Sequence, residues 1–177
     1  MTDAAVGGSR RDFVLRIARA AGVSPFAMGV LDGTVKAVPP SEETDFAILY
    51  AAIALEHHAI ALYDACLKDN VLEGGLKRYA VEFRGDHMGH RDTQIAIVEE
   101  RGGRPPAPPS RPDLGSLGSP WEAVQAGLEV EVAAQKAYTA LISQIRTKDY
   151  LLSAAFILVD EVRHMTVWRR VLGLKIY

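Results

Sequence analysis

The chain contains one helical pattern twice, and each copy carries charge in the middle of its apolar stripe. Phe46, Leu49, Ile53, Glu56, Ile60, Tyr63 and Leu67 recur at alternating spacings of three and four; shifted by 75 residues, the stripe reads Trp121, Val124, Leu128, Glu131, Gln135, Tyr138 and Ile142. Such spacing returns to one face of a helix of about 3.6 residues per turn. A second pair of stripes is related by 74 residues: Leu76, Ala80, Phe83, His87, His90, Gln94 and Ile97 against Tyr150, Ala154, Ile157, Glu161, His164, Trp168 and Val171. Each stripe has to be buried against others, and no segment shows sustained period-two alternation. The chain is therefore predicted to be all-α, with four long helices.

Punctuation agrees with this reading. Ser41 followed by Glu42 and Glu43 opens the first helix, and Asp69-Asn70 with Gly74-Gly75 separates it from the second, which Gly102-Gly103 stops. Ser119-Pro120-Trp121-Glu122 opens the third helix as a capping box with proline at its first position. Thr147-Lys148-Asp149 divides the third from the fourth, which ends near Gly173. The short joints make each pair an antiparallel hairpin. Between the pairs lies a linker, residues 103–119, in a stretch holding six prolines between 105 and 120. Extended, it reaches roughly 55 Å, more than the roughly 42 Å of a 28-residue helix. It is long enough to cross the whole bundle and start the third helix parallel to the second.

Residues 41–177 form the predicted bundle; residues 1–40 read differently. Ser9-Arg10-Arg11-Asp12-Phe13-Val14 resembles a twin-arginine export motif, an apolar stretch follows from Ala20 to Leu31, and Val35-Lys36-Ala37 would serve for cleavage. That reading places the protein in the periplasm. The alternative is a short amphipathic helix through Phe13, Val14 and Ile17, capped by Ser9, on a cytoplasmic protein. A net charge of −2, from 20 basic and 22 acidic residues, removes the attraction that nucleic acid or an anionic membrane surface needs. No run of 18 apolar residues is present, so no membrane span is expected. Cys66 is the only cysteine, which excludes an intramolecular disulfide and a thiolate metal cluster. Any metal site must use nitrogen and oxygen.

Helices of equal length in antiparallel hairpins bring their midpoints to one depth. Glu56 is then expected to face His87 and His90, and Glu131 to face Glu161 and His164, so six polar groups share one level of the core. Burying one unpaired carboxylate costs several kcal/mol, against a domain stability of roughly 5–15 kcal/mol. Mutual neutralisation in a structural network of glutamates and protonated histidines is one compensation. One or two metal ions are the other, and they use these ligand types.

Over Ser41 to Leu172 these residues resemble the ferritin-like superfamily of di-iron and di-manganese carboxylate four-helix bundles, two antiparallel hairpins joined by a long crossover. In that family a glutamate from each of two helices joins a Glu-x-x-His pair from each of the other two. The resemblance implies Glu56, Glu131, Glu161, His164 and His90 as ligands of iron or manganese, in a centre that reacts with oxygen or peroxide. His87 departs from the pattern, where a bridging glutamate is expected. Three readings follow: a dinuclear site with a His87 ligand, a mononuclear site of Glu56, His87 and His90, or a degenerate site in a metal-free structural or stress-protection bundle. Asp86 is a substitute ligand for that turn, or else, like Asp160, an outer acceptor holding a histidine or arginine. His57 and His58 point off the seam and are expected at the surface or between subunits, a homodimer being left open. Tyr63 and Tyr138 are expected to be core residues, and Arg163, Arg169 and Arg170 exposed charge or bundle-surface salt bridges.

Overall fold

The computed structural model describes residues 41–176; the export-like motif and its alternative helix lie outside the described residues. Four helices make up the described chain: α1 (Glu42–Lys68), α2 (Gly74–Glu100), α3 (Pro120–Ile142) and α4 (Lys148–Val171). Local chemistry sets most of their ends. Ser41 Oγ accepts from Thr44 N at 3.1 Å while Ser41 N donates back to Thr44 Oγ1 at 2.7 Å, ahead of an acidic first turn. Ser119 Oγ accepts from Glu122 N at 3.2 Å, with Pro120 at the first position of α3. After α2 the chain turns through Gly102 at φ 74°, and Gly103 then passes so close to the core that a Cβ there would lie 2.8 Å from Val98 Cγ1.

The start of α4 is capped from a distance. Thr147 makes no capping bond to its own helix; instead Asp45, in the first turn of α1, accepts from Arg146 N at 2.9 Å, Thr147 N at 3.2 Å and Thr147 Oγ1 at 2.7 Å. The first turns of α1 and α4 thus share one end of the bundle, so these helices run parallel and α2 and α3 run against them. The linker crosses along α1. Arg104 N donates to Tyr50 Oη at 3.3 Å, His57 Nε2 to the Pro106 carbonyl at 3.2 Å, and Leu114 and Leu117 pack on the core around Leu62 and Leu72. The linker covers His57, which with His58 is buried (8% and 3% exposed), contrary to the surface position expected. Trp121 departs the other way: it is 55% exposed, because the second residue of α3 lies at the bundle's end rather than in its seam.

By length and composition α1 would also pass for a membrane span, with a mean hydropathy of 1.4 in its most apolar window. The bundle buries 78% of that window, so its apolar surface is used in protein packing. Two apolar layers result. One surrounds Tyr63, Phe83 and Trp168, and the other Ile48, Tyr138, Leu141 and Ile157. The charged level lies between them.

Candidate metal centre

All six polar seam residues meet at that level, and all are buried. Each helix contributes what its stripe carries: Glu56 from α1, His87 and His90 from α2, Glu131 from α3, Glu161 and His164 from α4. His87 Nδ1 donates to Glu56 Oε2 at 2.7 Å, and its Nε2 lies 3.4 Å from Glu131. His90 Nδ1 stands 3.4 Å from Glu161 Oε1, and His164 Nδ1 3.4 Å from Glu131 Oε2. Two quartets with mutually close ligand atoms emerge, Glu56-His87-His90-Glu161 and His87-Glu131-Glu161-His164, the atoms of each within 4.8 Å of one another. His87 and Glu161 belong to both.

The protein leaves ligand atoms at this level unpartnered. Seven buried side-chain nitrogen or oxygen atoms lack a hydrogen bond among the described residues, and five are here: His90 Nδ1, His164 Nδ1, Glu131 Oε2 and both oxygens of Glu161. A buried polar atom without a partner costs about 1–3 kcal/mol. Such a concentration fits a cation that takes nitrogen and carboxylate oxygen as ligands.

The outward-facing atoms, by contrast, are held, and each is held by the other half of the repeat. His90 Nε2 donates to Asp160 at 3.3 Å and His164 Nε2 to Asp86 at 3.0 Å. This orientation keeps each Nδ1 aimed inward. Tyr138 Oη donates to Glu56 Oε1, and Tyr63 Oη to Glu131 Oε1. Behind them Gln94 Nε2 donates to Tyr138 Oη and Trp168 Nε1 to Tyr63 Oη, the latter at 2.8 Å. Gln94 and Trp168 are equivalent positions of the repeat, as are Tyr63 and Tyr138, and Asp86 and Asp160. Arg163, expected as exposed charge or in bundle-surface salt bridges, is half-exposed and makes such bridges, tying both aspartates together while also reaching Glu82 at 2.9 Å. Asp86 therefore supports His164 and belongs to neither quartet.

Electrostatics follow from burial and proximity. Burial pushes the Glu56 carboxyl up, but the hydrogen bond from His87 and the nearby His90 imidazole outweigh it and bring it down to about 2. Glu131, also penalised by burial, is held well below its usual range by the charge of His87 and by the proximity of the His164 and His87 imidazoles. Glu161 goes the other way: burial raises it, the His87 charge only partly offsets that, and Glu131 and Glu56 add to the rise. Burial lowers His87 and His90, yet the surrounding carboxylates carry both above the ordinary histidine value, His87 well above it. Buried beside carboxylates, Tyr63 and Tyr138 remain phenols, so they can only donate to Glu131 and Glu56.

The family model described as ferritin-like domain matches residues 44–174. Among solved structures, the crystal structure of a conserved hypothetical protein from Mycobacterium tuberculosis is similar, with a TM-score of 0.69 and 25% identity over 74% of this chain and 92% of that one. No curated protein sequence is a significant match.

Proposed function

We propose, since this chain belongs to the ferritin-like domain family, that it is a metal-binding protein holding one or two iron or manganese ions between Glu56, His87, His90, Glu131, Glu161 and His164. The observation that carries this reading is the group of five unpartnered ligand atoms inside the two quartets. Glu56 and His90 would contribute to one quartet and Glu131 and His164 to the other, with His87 and Glu161 within reach of both. A low-valent ion bound by nitrogen and carboxylate with an open position supplies chemistry with oxygen or peroxide, which makes an oxidase-like or ferroxidase-like role the fitting reaction class.

The chain's own residues prepare that site. Asp86 and Asp160 fix the imidazole orientation of His164 and His90, and Tyr63 and Tyr138 each occupy one oxygen of a glutamate. Phe83, stacked on His164 with ring centroids 4.0 Å apart, closes the site on the Trp168 side and excludes water there. A metal-free ion-pair network is the rival, and the 2.7 Å bond between His87 and Glu56 favours it. It leaves both oxygens of Glu161 without a partner, which the metal reading does not.

Elemental analysis tests the proposal. Protein made in medium replete in iron and manganese and purified without chelator should carry stoichiometric metal. Glu131→Ala and His164→Ala should lower the metal content as far as Glu56→Ala and His90→Ala do. Absence of metal from the parent protein overturns the reading, and dependence on the α1–α2 ligands alone reduces the centre to one ion.

A further inference from the structure

The outward face of α4 is apolar where its twin is not. Leu151 (36% exposed), Leu152 (55%), Phe156 (66%), Val159 (66%) and Val162 (40%) lie on one side of the helix over three turns, and they make up five of the ten large hydrophobic residues exposed among the described residues. The repeat supplies an internal control. Shifted back by 74 residues, the same face of α2 reads Lys77, Arg78, Val81, Glu82, Gly85 and Met88, an ordinary solvated surface. From Tyr150 to Val159 the α4 sequence holds no charge at all. Over these residues the outward face of the helix lacks the charged and polar side chains that a solvated face carries.

We infer that this face is the interface of a homodimer, in which α4 packs antiparallel against α4 of a second copy about a two-fold axis at Phe156. The area suits that occupant. At these exposures the five side chains offer roughly 400 Å² of apolar surface per copy, a contiguous patch of the size that commonly marks an interaction site and about half of what a standard interface buries per partner. Flanking Ala155, Thr166 and the polar rim supply the remainder. Charge fixes the direction. An antiparallel crossing centred on Phe156 sets exposed Asp149 of one copy level with Arg163 of the other, and does so twice; a parallel crossing would set like charges level. The interface is self-complementary, as a two-fold contact must be.

The experiment uses the full chain. Sedimentation equilibrium should give twice the 19.2 kDa chain mass, and Phe156→Asp should raise the dimer dissociation constant about 30-fold or more, as loss of a central anchor does, with metal content unchanged. Phe156→Cys adds a geometric readout, because the natural Cys66 is buried. With oxidised glutathione as electron acceptor, two copies of this variant should join through the introduced thiols as a covalent dimer, whereas Gln125→Cys, at an exposed position on α3, should not. A monomeric parent overturns the inference whether the thiol introduced by Phe156→Cys is freely alkylated, which leaves the face uncovered, or protected, which assigns it to the chain's own residues 1–40. A dimer that Phe156→Asp leaves intact and Phe156→Cys does not link overturns it equally.

Discussion

Stripped of metal, this protein should lose stability as pH rises above neutrality. Glu161 is raised by burial and neighbouring carboxylates, and His87 and His90 are raised by the same carboxylates against the effect of burial. The folded chain therefore keeps protons that the unfolded chain releases near 4.5 and 6.5, and a native state that binds more protons than the unfolded one is weakened by rising pH. The stability from His87 and His90 is complete below about 6.5 and is lost as pH climbs through their folded values; that from Glu161 begins to fall above about 4.5. Burial lowers His57, so its contribution rises up to about 6.5 and offsets Glu161 in that window. On the acid side the sign reverses. Glu56, brought to about 2 by its histidine neighbours against the effect of burial, stabilises above 4.5, and that stability disappears as pH falls towards 2. Its shift corresponds to about 3 kcal/mol, to order of magnitude. Metal-free protein is thus expected to be most stable between about pH 4.5 and 6.5. Above that range each proton held by the folded chain alone costs about 1.4 kcal/mol per pH unit, or roughly 3–5 °C in melting temperature for a domain of this size. Metal needs the same groups deprotonated, so its affinity should climb over the range in which the stripped protein weakens. Thermal unfolding followed by circular dichroism from pH 5 to 8.5, with and without bound manganese, reads both trends. Stripped protein as stable at pH 8.5 as at pH 6 would refute the idea that imidazoles and carboxylates share protons at this level.

Tyr63→Phe and Tyr138→Phe each remove a hydrogen bond to a buried ionised carboxylate; each should cost about 1.5–3 kcal/mol in urea unfolding and lower metal affinity about 10–100-fold in competition with a chelator. In Gly127→Ala the new Cβ would sit 3.0 Å from Trp168 Nε1; the expected net loss is about 1–3 kcal/mol, with a change in Trp168 fluorescence as the ring leaves Tyr63. His87→Glu should raise bound metal towards two ions per chain while making the metal-free form less stable, which metal titration and melting together reveal. The arginine pair at Arg10-Arg11 predicts a shortened form in the periplasm of the native host, and full-length protein confined to the cytoplasm on cell fractionation would show that residues 9–31 are not an export signal.

Sequence spacing carried the fold where the cause was local. Ser41 and Ser119 announce their helices because a cap acts within three residues, whereas the cap of α4 is invisible in sequence: Asp45 lies 102 residues before Thr147. The surface expectation for His57 rested on its angle round the helix. An angle gives the direction of a side chain and not what lies there, which is the Pro106 carbonyl of the linker. Alignment of the halves matched Tyr63 with Tyr138, Gln94 with Trp168 and Asp86 with Asp160, but a repeat reveals equivalence and not contact, and every one of these supports acts across the halves. Asp160 holds His90, Asp86 holds His164, Tyr138 holds Glu56 and Tyr63 holds Glu131. Within the first hairpin His87 also donates to Glu56, but these outer supports come into being only when the halves dock. Glu161 stands outside this exchange, with no hydrogen bond to either oxygen, and its twin position is His87. A second glutamate there would leave two unheld carboxylates facing each other in a core without metal. The imidazole instead donates to Glu56 and turns its other nitrogen to Glu131, which leaves one carboxylate rather than two unheld in this core.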